Sequence, residues 1–516
     1  MNDNKISKNS IVAKFAVPIS FLILFFLAAN FTDCDLVTFW KRRSHLTDLV
    51  VDMIPPDFSY IQKILLPLFY TIQMSVTGTV LGIFFALVLS PFGAANLGFP
   101  AVIRRILRIV IQILRSFPAL ILALTATFLF GLGTFAGTFA ITLYTFAIMT
   151  KLTYEDASAV DVKAYQALRA MGVSKYVAYI HGILPEIIPG FLTNALYLLE
   201  TNVRHSSILG YVGAGGIGLL LNEKISWLEY DKVGTILLML FLTVCVIEYF
   251  SRYLAALIRK ERTIKKEQAR LLLLFLAALF LICTFTLSLP DFSRTSPQTL
   301  RNMFAGFLQP DWSFFFSAEK DGLGYLLLET VCIAFIGTVI GAIVSAPLAF
   351  LNTKRFVPAP VSFLFNLVIM VIRSVPFLVY GLIFIRVSGP GAFTGVLTLA
   401  VCSIGLLTKR FTEALDALDP RPYHALLAMG VRPLPAICHS VLPQLKPVFT
   451  SIILYRFDVN IREASVLGLV GAGGIGAPLI FSMNQYAWEK AGAIMLGLIL
   501  LVWFIDMVSE KIGAGN

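Results

Sequence analysis

Charged side chains make up only 14% of this 516-residue sequence. Soluble domains carry about 25%, so a solvated globular surface is excluded. No G-x-x-x-x-G-K-[ST] string occurs, and the chain therefore has no phosphate-cradling loop of its own for ATP. An H-E-x-x-H pair, a nucleophile elbow and a Cys/His cluster are also missing, which removes the usual signatures of hydrolytic and metal chemistry. The six cysteines, Cys34, Cys245, Cys283, Cys332, Cys402 and Cys438, are scattered singly without a C-x-x-C pair. They read as small buried residues and not as a disulfide framework. His181 and His439 each stand alone and read as structural. Acidic residues are the scarcer sign, 30 against 41 basic, for a net charge of +11.

What fills the chain is apolar: 58% of the residues, with a mean hydropathy of +0.82. Crossing roughly 30 Å of hydrocarbon takes about 20 mostly apolar residues, and backbone satisfaction in lipid makes such segments helices. Apolar runs lie at 11–31, 64–90, 106–130, 134–150, 187–203 and 233–258. After a basic linker, 259–270, they recur at 271–289, 324–350, 360–386, 392–408, 448–459 and 490–508. The excess of Lys and Arg then reads as retention of positive charge on one side of a membrane, not as nucleic-acid binding. The first run follows a basic start, as in a signal peptide, but lacks a clean cleavage site and reads as a retained span.

The chain repeats itself. Residues 167–189, ALRAMGVSKYVAYIHGILPEIIP, answer 425–447, ALLAMGVRPLPAICHSVLPQLKP, with about half of the positions identical. RSFPALILAL from Arg115 answers RSVPFLVYGL from Arg373, and NVRHSSILGYVGAGGIG from Asn202 answers NIREASVLGLVGAGGIG from Asn460, all at an offset of 258 residues. Thr71, Gly78 and Gly82 answer Thr330, Gly337 and Gly341 at 259. Six spans per half leave both halves in one orientation, a parallel repeat. Basic residues at Lys5, Lys8, Lys14, Arg104, Arg105, Arg108 and the linker place both termini and both repeated loops in the cytoplasm. Lys41, Arg42 and Arg43 fall in the loop assigned outside, offset in part by Asp33, Asp35, Asp48 and Asp52.

Within the repeated loop, Gln166 to Met171 are good helix formers, and Gly172 can end that helix in a left-handed conformation. Leu184-Pro185 then opens the next apolar run, where a proline in the first helical turn is tolerated. Gly430 and Leu442-Pro443 repeat the construction. Glu155, Asp161, Glu413 and Asp419 precede the loops as solvated charges. Here the sequence resembles the permease subunits of ATP-binding-cassette importers, whose cytoplasmic loop runs E-A-A, three residues, Gly, then Leu-Pro after a fixed interval. Gln166 and His424 stand where that pattern opens with Glu. The resemblance implies that the loop couples to an ATPase through Gln166, Ala167, Ala170, Met171 and Gly172, and through His424, Ala425, Ala428, Met429 and Gly430.

GAGGIG at 213–218 and 471–476 satisfies G-x-G-x-x-G literally. No strand precedes it and apolar sequence surrounds it, so close helix packing or a re-entrant turn is expected instead of a dinucleotide site. The string N-x-R followed by L-G-x-V-G-A-G-G-I-G resembles the phosphonate-type branch of these permeases, as do the R-S-[FV]-P stretches at Arg115 and Arg373. Ala119 and Phe377 replace that branch's Glu after Pro. Arg204 and Arg462, charges at membrane depth, are expected to face a pathway or a partner. Paired guanidiniums offer bidentate donors to a tetrahedral oxyanion, with Asn202 and Asn460 as neutral donors. Snorkelling outward or an ion pair with an acid such as Glu200, Glu463 or Asp458 is the other reading for these two arginines, and Arg115 and Arg373 are open between the pathway and a helix-positioning role.

The expected fold is an all-α membrane protein of about twelve spans in two parallel repeats, 1–258 and 271–516, joined by 259–270. The resemblance implies a type I importer permease, which is not itself an enzyme, in a bacterial plasma membrane. It further implies two copies of an ATPase carrying ATP and Mg, an extracellular or periplasmic binding protein, and a phosphonate, phosphite or phosphate ligand. No cofactor is expected on this chain. A secondary transporter of two six-helix halves driven by an ion gradient is the alternative.

Overall fold

The computed structural model describes residues 19–259, 265–288, 290, 297–317, 319–320 and 322–514. The basic start at Lys5, Lys8 and Lys14 and residues 260–264 of the linker lie outside the described residues. Among the described residues every regular element is a helix and no strand occurs. Eight helices among the described residues are long and apolar enough to cross a membrane, or up to eleven if three bent pairs each count as one span. The apolar helix α1, Ile19–Phe31, is shorter.

The first compact unit is Leu49–Phe304. Its long helices are α2 (Ile61–Gly93), α3 (Ala101–Ser116), α4 (Ala119–Phe130) and α5 (Thr134–Ala159). Two short helices follow, α6 (Lys163–Ala170) and α7 (Lys175–Gly182), then α8 (Leu184–Leu209), α9 (Ile217–Ser226), α10 (Tyr230–Ile258) and α11 (Lys266–Phe285). Helices α2 and α5 make the most extensive contact, and α8 packs on both. In lipid there is no hydrophobic force to press helices together, so small residues must let backbones approach. Gly78 and Gly82 do this: a Cβ on Gly78 would stand 2.8 Å from Ile141 Cβ, and one on Gly82 would stand 2.7 Å from Thr145 Cβ.

The second unit contains 305–516 together with residues before Leu49. It repeats the series as α12 (Leu323–Asn352), α13 (Ala359–Ser374), α14 (Phe377–Ser388), α15 (Ala392–Ala417) and α16 (Arg421–Ala428), then α17 (Leu442–Leu467), α18 (Gly476–Asn484) and α19 (Trp488–Ala514). Gly337 approaches α15 as Gly78 approaches α5, with a Cβ there falling 2.7 Å from Leu399 Cβ. The compact units thus depart from the boundaries of the sequence repeats. Helix α1 packs within the unit of the second repeat, Phe21 against Phe335 and Phe31 against Tyr325. Helix α11, which opens the second repeat, packs on α2 of the first, where Gln73 Nε2 donates to the Cys283 carbonyl at 3.0 Å.

The runs 106–130 and 360–386, each expected as one span, are broken. Helices α3 and α4 meet at 95° and α13 and α14 at 87°. A proline ring disfavours helical geometry in the residue before it. Phe117 and Val375 accordingly turn extended before Pro118 and Pro376, which cap the next helix. Arg115 and Arg373 sit in the last turn before each bend, where a cation opposes the helix dipole.

Candidate functional site

The repeated loops take the conformation their residues dictate. Helix α6 ends at Ala170, Met171 caps it, and Gly172 follows at φ +85°. Helix α16 ends at Ala428, and Gly430 lies at φ +83°. The left-handed region is open to glycine at no steric cost, which is why both loops turn there. Asp161 Oδ1 accepts the Lys163 backbone N–H at 3.0 Å, and Asp419 Oδ1 accepts that of Arg421 at 3.0 Å. The hydrogen bonds from Lys163 and from Arg421 hold both carboxyls below the usual carboxylate range. Glu155 pairs with Lys151 and Glu413 with Arg410, each pair within the helix that leads into its loop.

The face turned outward is apolar at its tip. Gln166, Ala167, Ala170 and Gly172 are exposed, as are His424, Ala425, Ala428 and Gly430, and Met171 and Met429 are each 78% exposed. The inward face is anchored. Tyr165 donates its hydroxyl to the Leu97 carbonyl at 2.6 Å, and Lys175 Nζ donates to the Gly98 carbonyl. Around them Leu97, Tyr154, Ala178, Tyr179 and Ile183 form a buried core. In the second half Arg355 serves instead, donating to the carbonyls of Leu418 (2.8 Å) and Asp416, while Phe356 packs edge-on against Tyr423. The two loops leave for the next span differently: α7 and α8 are bent by 69°, whereas the chain from Pro433 to Val470 passes through a π-helical turn at Ile437–Val441.

Deep in each bundle lies the second repeated motif. Asn202 and Asn460, expected as donors to a ligand, are completely buried. Asn202 Nδ2 donates to Thr79 Oγ1 at 2.8 Å and to Thr145 Oγ1 at 2.7 Å. Asn460 Nδ2 donates to Thr338 Oγ1 at 2.7 Å and Ser403 Oγ at 2.9 Å. Both amide protons are therefore committed to tying three helices together, since a polar group in hydrocarbon is costly unless bonded. Arg204 pairs with Glu200 one turn earlier at 3.1 Å, and Arg462 pairs with Asp458. Arg204 Nη1 is buried and carries no hydrogen bond among the described residues. Arg373 lays its stem over Gly405 of α15, whose Cβ would come within 2.9 Å of Arg373 Cγ, and Arg115 is half-buried at its own bend.

The second half adds a pair that no sequence motif signals. Arg456 Nη2 meets Glu463 Oε2 at 2.8 Å, and its Nε donates to Ser403 Oγ at 3.2 Å. The repeat places Leu198 and His205 at these positions in the first half, so only a residue-by-residue comparison of the halves would have found it. Each GAGGIG string forms a tight turn with Gly213, Gly215 and Gly216, or Gly471, Gly473 and Gly474, at positive φ. The returning helix is then caught by the repeated threonine: Ile217 N–H donates to Thr71 Oγ1 at 2.8 Å and Ile475 N–H to Thr330 Oγ1 at 3.1 Å. The string is thus a glycine turn between two closely packed helices, with no strand beside it among the described residues. Among the described residues no group of three or more His, Cys, Asp or Glu is placed to hold a metal ion.

The family described as binding-protein-dependent transport system inner membrane component matches residues 78–263 and again 337–512. The phosphate-import permease protein PhnE of Mycolicibacterium smegmatis is 27% identical over 473 residues, 90% of this chain and 88% of the relative. The phosphite transport system permease protein PtxC of Stutzerimonas stutzeri is 36% identical over 184 residues, 36% of this chain and 67% of the relative. Among solved structures, an inward-facing form of the MetNI methionine ABC transporter matches at 22% identity, over 39% of this chain and 99% of that one, with a TM-score of 0.36.

Proposed function

This chain belongs to the binding-protein-dependent transport system inner membrane components, two copies of the family fused in one polypeptide, and we propose that it is the permease subunit of an ATP-driven importer for a phosphonate or a related oxyanion. The observation that carries the reading is the loop written twice, with the same glycine conformation and the same exposed methionine in each half. Two copies of a soluble ATPase dock there, one on each loop, and supply the ATP and Mg that this chain does not bind. An extracellular or periplasmic binding protein delivers the ligand. The chain itself is a transport subunit and not an enzyme, and lies in the plasma (inner) membrane with both termini in the cytoplasm.

Closure of the ATPases presses on Met171 and Met429 and moves the spans behind them. In each half the anion meets an arginine, Arg204 or Arg462, held ready by an acid on its own helix, and competes with that acid for the guanidinium. Arg204 Nη1 supports this role, because it is a buried donor with no hydrogen bond among the described residues. Asn202 and Asn460 hold the helices that present the two arginines. The choice of anion rests on the relatives named for phosphate and phosphite.

The test is uptake into proteoliposomes holding the chain with its ATPase and binding protein, comparing methylphosphonate, phosphite, phosphate and methionine. ATP-dependent uptake of one oxyanion, lost in Arg204→Ala or Arg462→Ala with the protein still folded, is expected. Uptake of methionine alone would keep the importer and discard the oxyanion. Uptake driven by an ion gradient without ATP would replace the reading with a secondary transporter.

A further inference from the structure

Helix α3 differs from its counterpart α13 in one respect that the transport reading does not use. Its polar residues, Arg104, Arg105, Arg108 and Gln112, recur at three- and four-residue spacing and so share one face. On the opposite arc Val102, Ile106 and Ile109 are 69%, 57% and 53% exposed. Helix α13 is equally bare of cover, with Phe363 68% and Leu364 59% exposed, but carries no charge before Arg373. An apolar face toward lipid is thus common to both halves, and the cationic stripe belongs to the first alone.

The stripe is held in place from behind. Arg108 Nε and Nη2 both donate to the Gly93 carbonyl, at 3.0 and 2.9 Å, and its guanidinium lies 5.1 Å over the Tyr154 ring. Arg104 Nη1 reaches the Ala95 carbonyl at 3.4 Å. Arg105 is exposed and carries no hydrogen bond or ion pair among the described residues. A fixed amphipathic helix with guanidiniums beside a lipid-facing apolar arc is matched in charge by the phosphate of an acidic headgroup, which accepts bidentate bonds while its acyl chains cover the arc.

We propose that the arginine stripe of α3 is a binding site for an anionic phospholipid, with Arg105 as its free donor. The site adjoins the first repeated loop, because the segment leading into α3 is the one anchored by Tyr165 and Lys175. A bound headgroup steadies that elbow, and the second half has no equivalent.

The proposal is tested by native mass spectrometry of the full chain in detergent, counting retained phosphatidylglycerol against phosphatidylcholine of the same acyl length. The wild type should retain phosphatidylglycerol selectively. Arg105→Gln should weaken that retention about five-fold, the effect of one cation near an acidic surface, and leave phosphatidylcholine unchanged, which also reports an intact fold. Arg421→Gln, removing a well-exposed cation in the other loop, should change neither. Equal retention of the two lipids by the wild type, or retention indifferent to Arg105→Gln, would overturn the proposal. The readout needs neither ATPase nor substrate, so it stands or falls apart from the importer reading.

Discussion

Tyr165 donates its hydroxyl to the carbonyl of Leu97 at 2.6 Å, and both residues are buried. One hydrogen bond thereby fastens the first repeated loop to the turn between α2 and α3. Tyr165→Phe should leave the Leu97 carbonyl unpaired at a cost of about 1–3 kcal/mol, read as a lower melting temperature in detergent. Tyr423, at the matching position, packs on Phe356 through its ring and makes no hydrogen bond through its hydroxyl among the described residues. Tyr423→Phe should melt as the wild type does.

Two classes of glycine should respond differently to one methyl group. Gly172 and Gly430 have open space around a Cβ, so replacement by Ala costs only the left-handed backbone, about 1–2 kcal/mol each. Gly210 and Gly468 face the backbone of Leu219 and of Ala477, too close for any Cβ. Backbone cannot step aside as a side chain can, and Gly210→Ala should abolish the folded yield on size-exclusion chromatography, whereas Gly172→Ala should elute normally.

Much of this architecture is readable in the residues alone. The repeat offset, the left-handed Gly172 and Gly430 and the proline openings of α8 and α17 all follow from local residue chemistry. The elbows at Pro118 and Pro376 are equally local, but hydropathy averages over them and returns one long run. The burial of Asn202 is not legible, because it depends on Thr79 and Thr145, 123 and 57 residues away in sequence. The sequence leaves Arg204 open between a ligand and Glu200, and the structure places it against Glu200.

Arg456 and Glu463 offer a test of how the second half holds its charges. Both are largely buried and bonded to each other. Removing one partner, as in Glu463→Gln or Arg456→Leu, should destabilise by about 3–5 kcal/mol, because it strands a charge in low dielectric. Combining Arg456→Leu with Glu463→His reproduces the first half's pair, Leu198 and His205. That double variant should recover most of the loss, as measured by a double-mutant cycle on thermal melting.

At the turn into α10, Glu229 is ion-paired with Lys232 at 2.9 Å and with Lys224 at 3.0 Å. The hydrogen bond from Lys232, followed by that from Lys224, holds its carboxyl below the usual range. A carboxyl lowered on folding contributes stability that is complete above its unfolded pKa and is lost as pH falls through the folded one. The melting temperature of the wild type should therefore drop toward that of Glu229→Gln on acidification, and the two curves should separate again at neutral pH.

The company kept by α1 bears on how the protein is made. Phe21 and Phe31 rest on Phe335 and Tyr325, so this helix has its partners in a segment translated some three hundred residues later. At bacterial elongation rates that interval is on the order of tens of seconds. Throughout it, α1 waits without the neighbours that complete it, and α11 emerges to find α2 already made. The unit that holds the second repeat is therefore the last to close, and a ribosome stalled anywhere before α12 leaves α1 without Tyr325 and Phe335 to pack against.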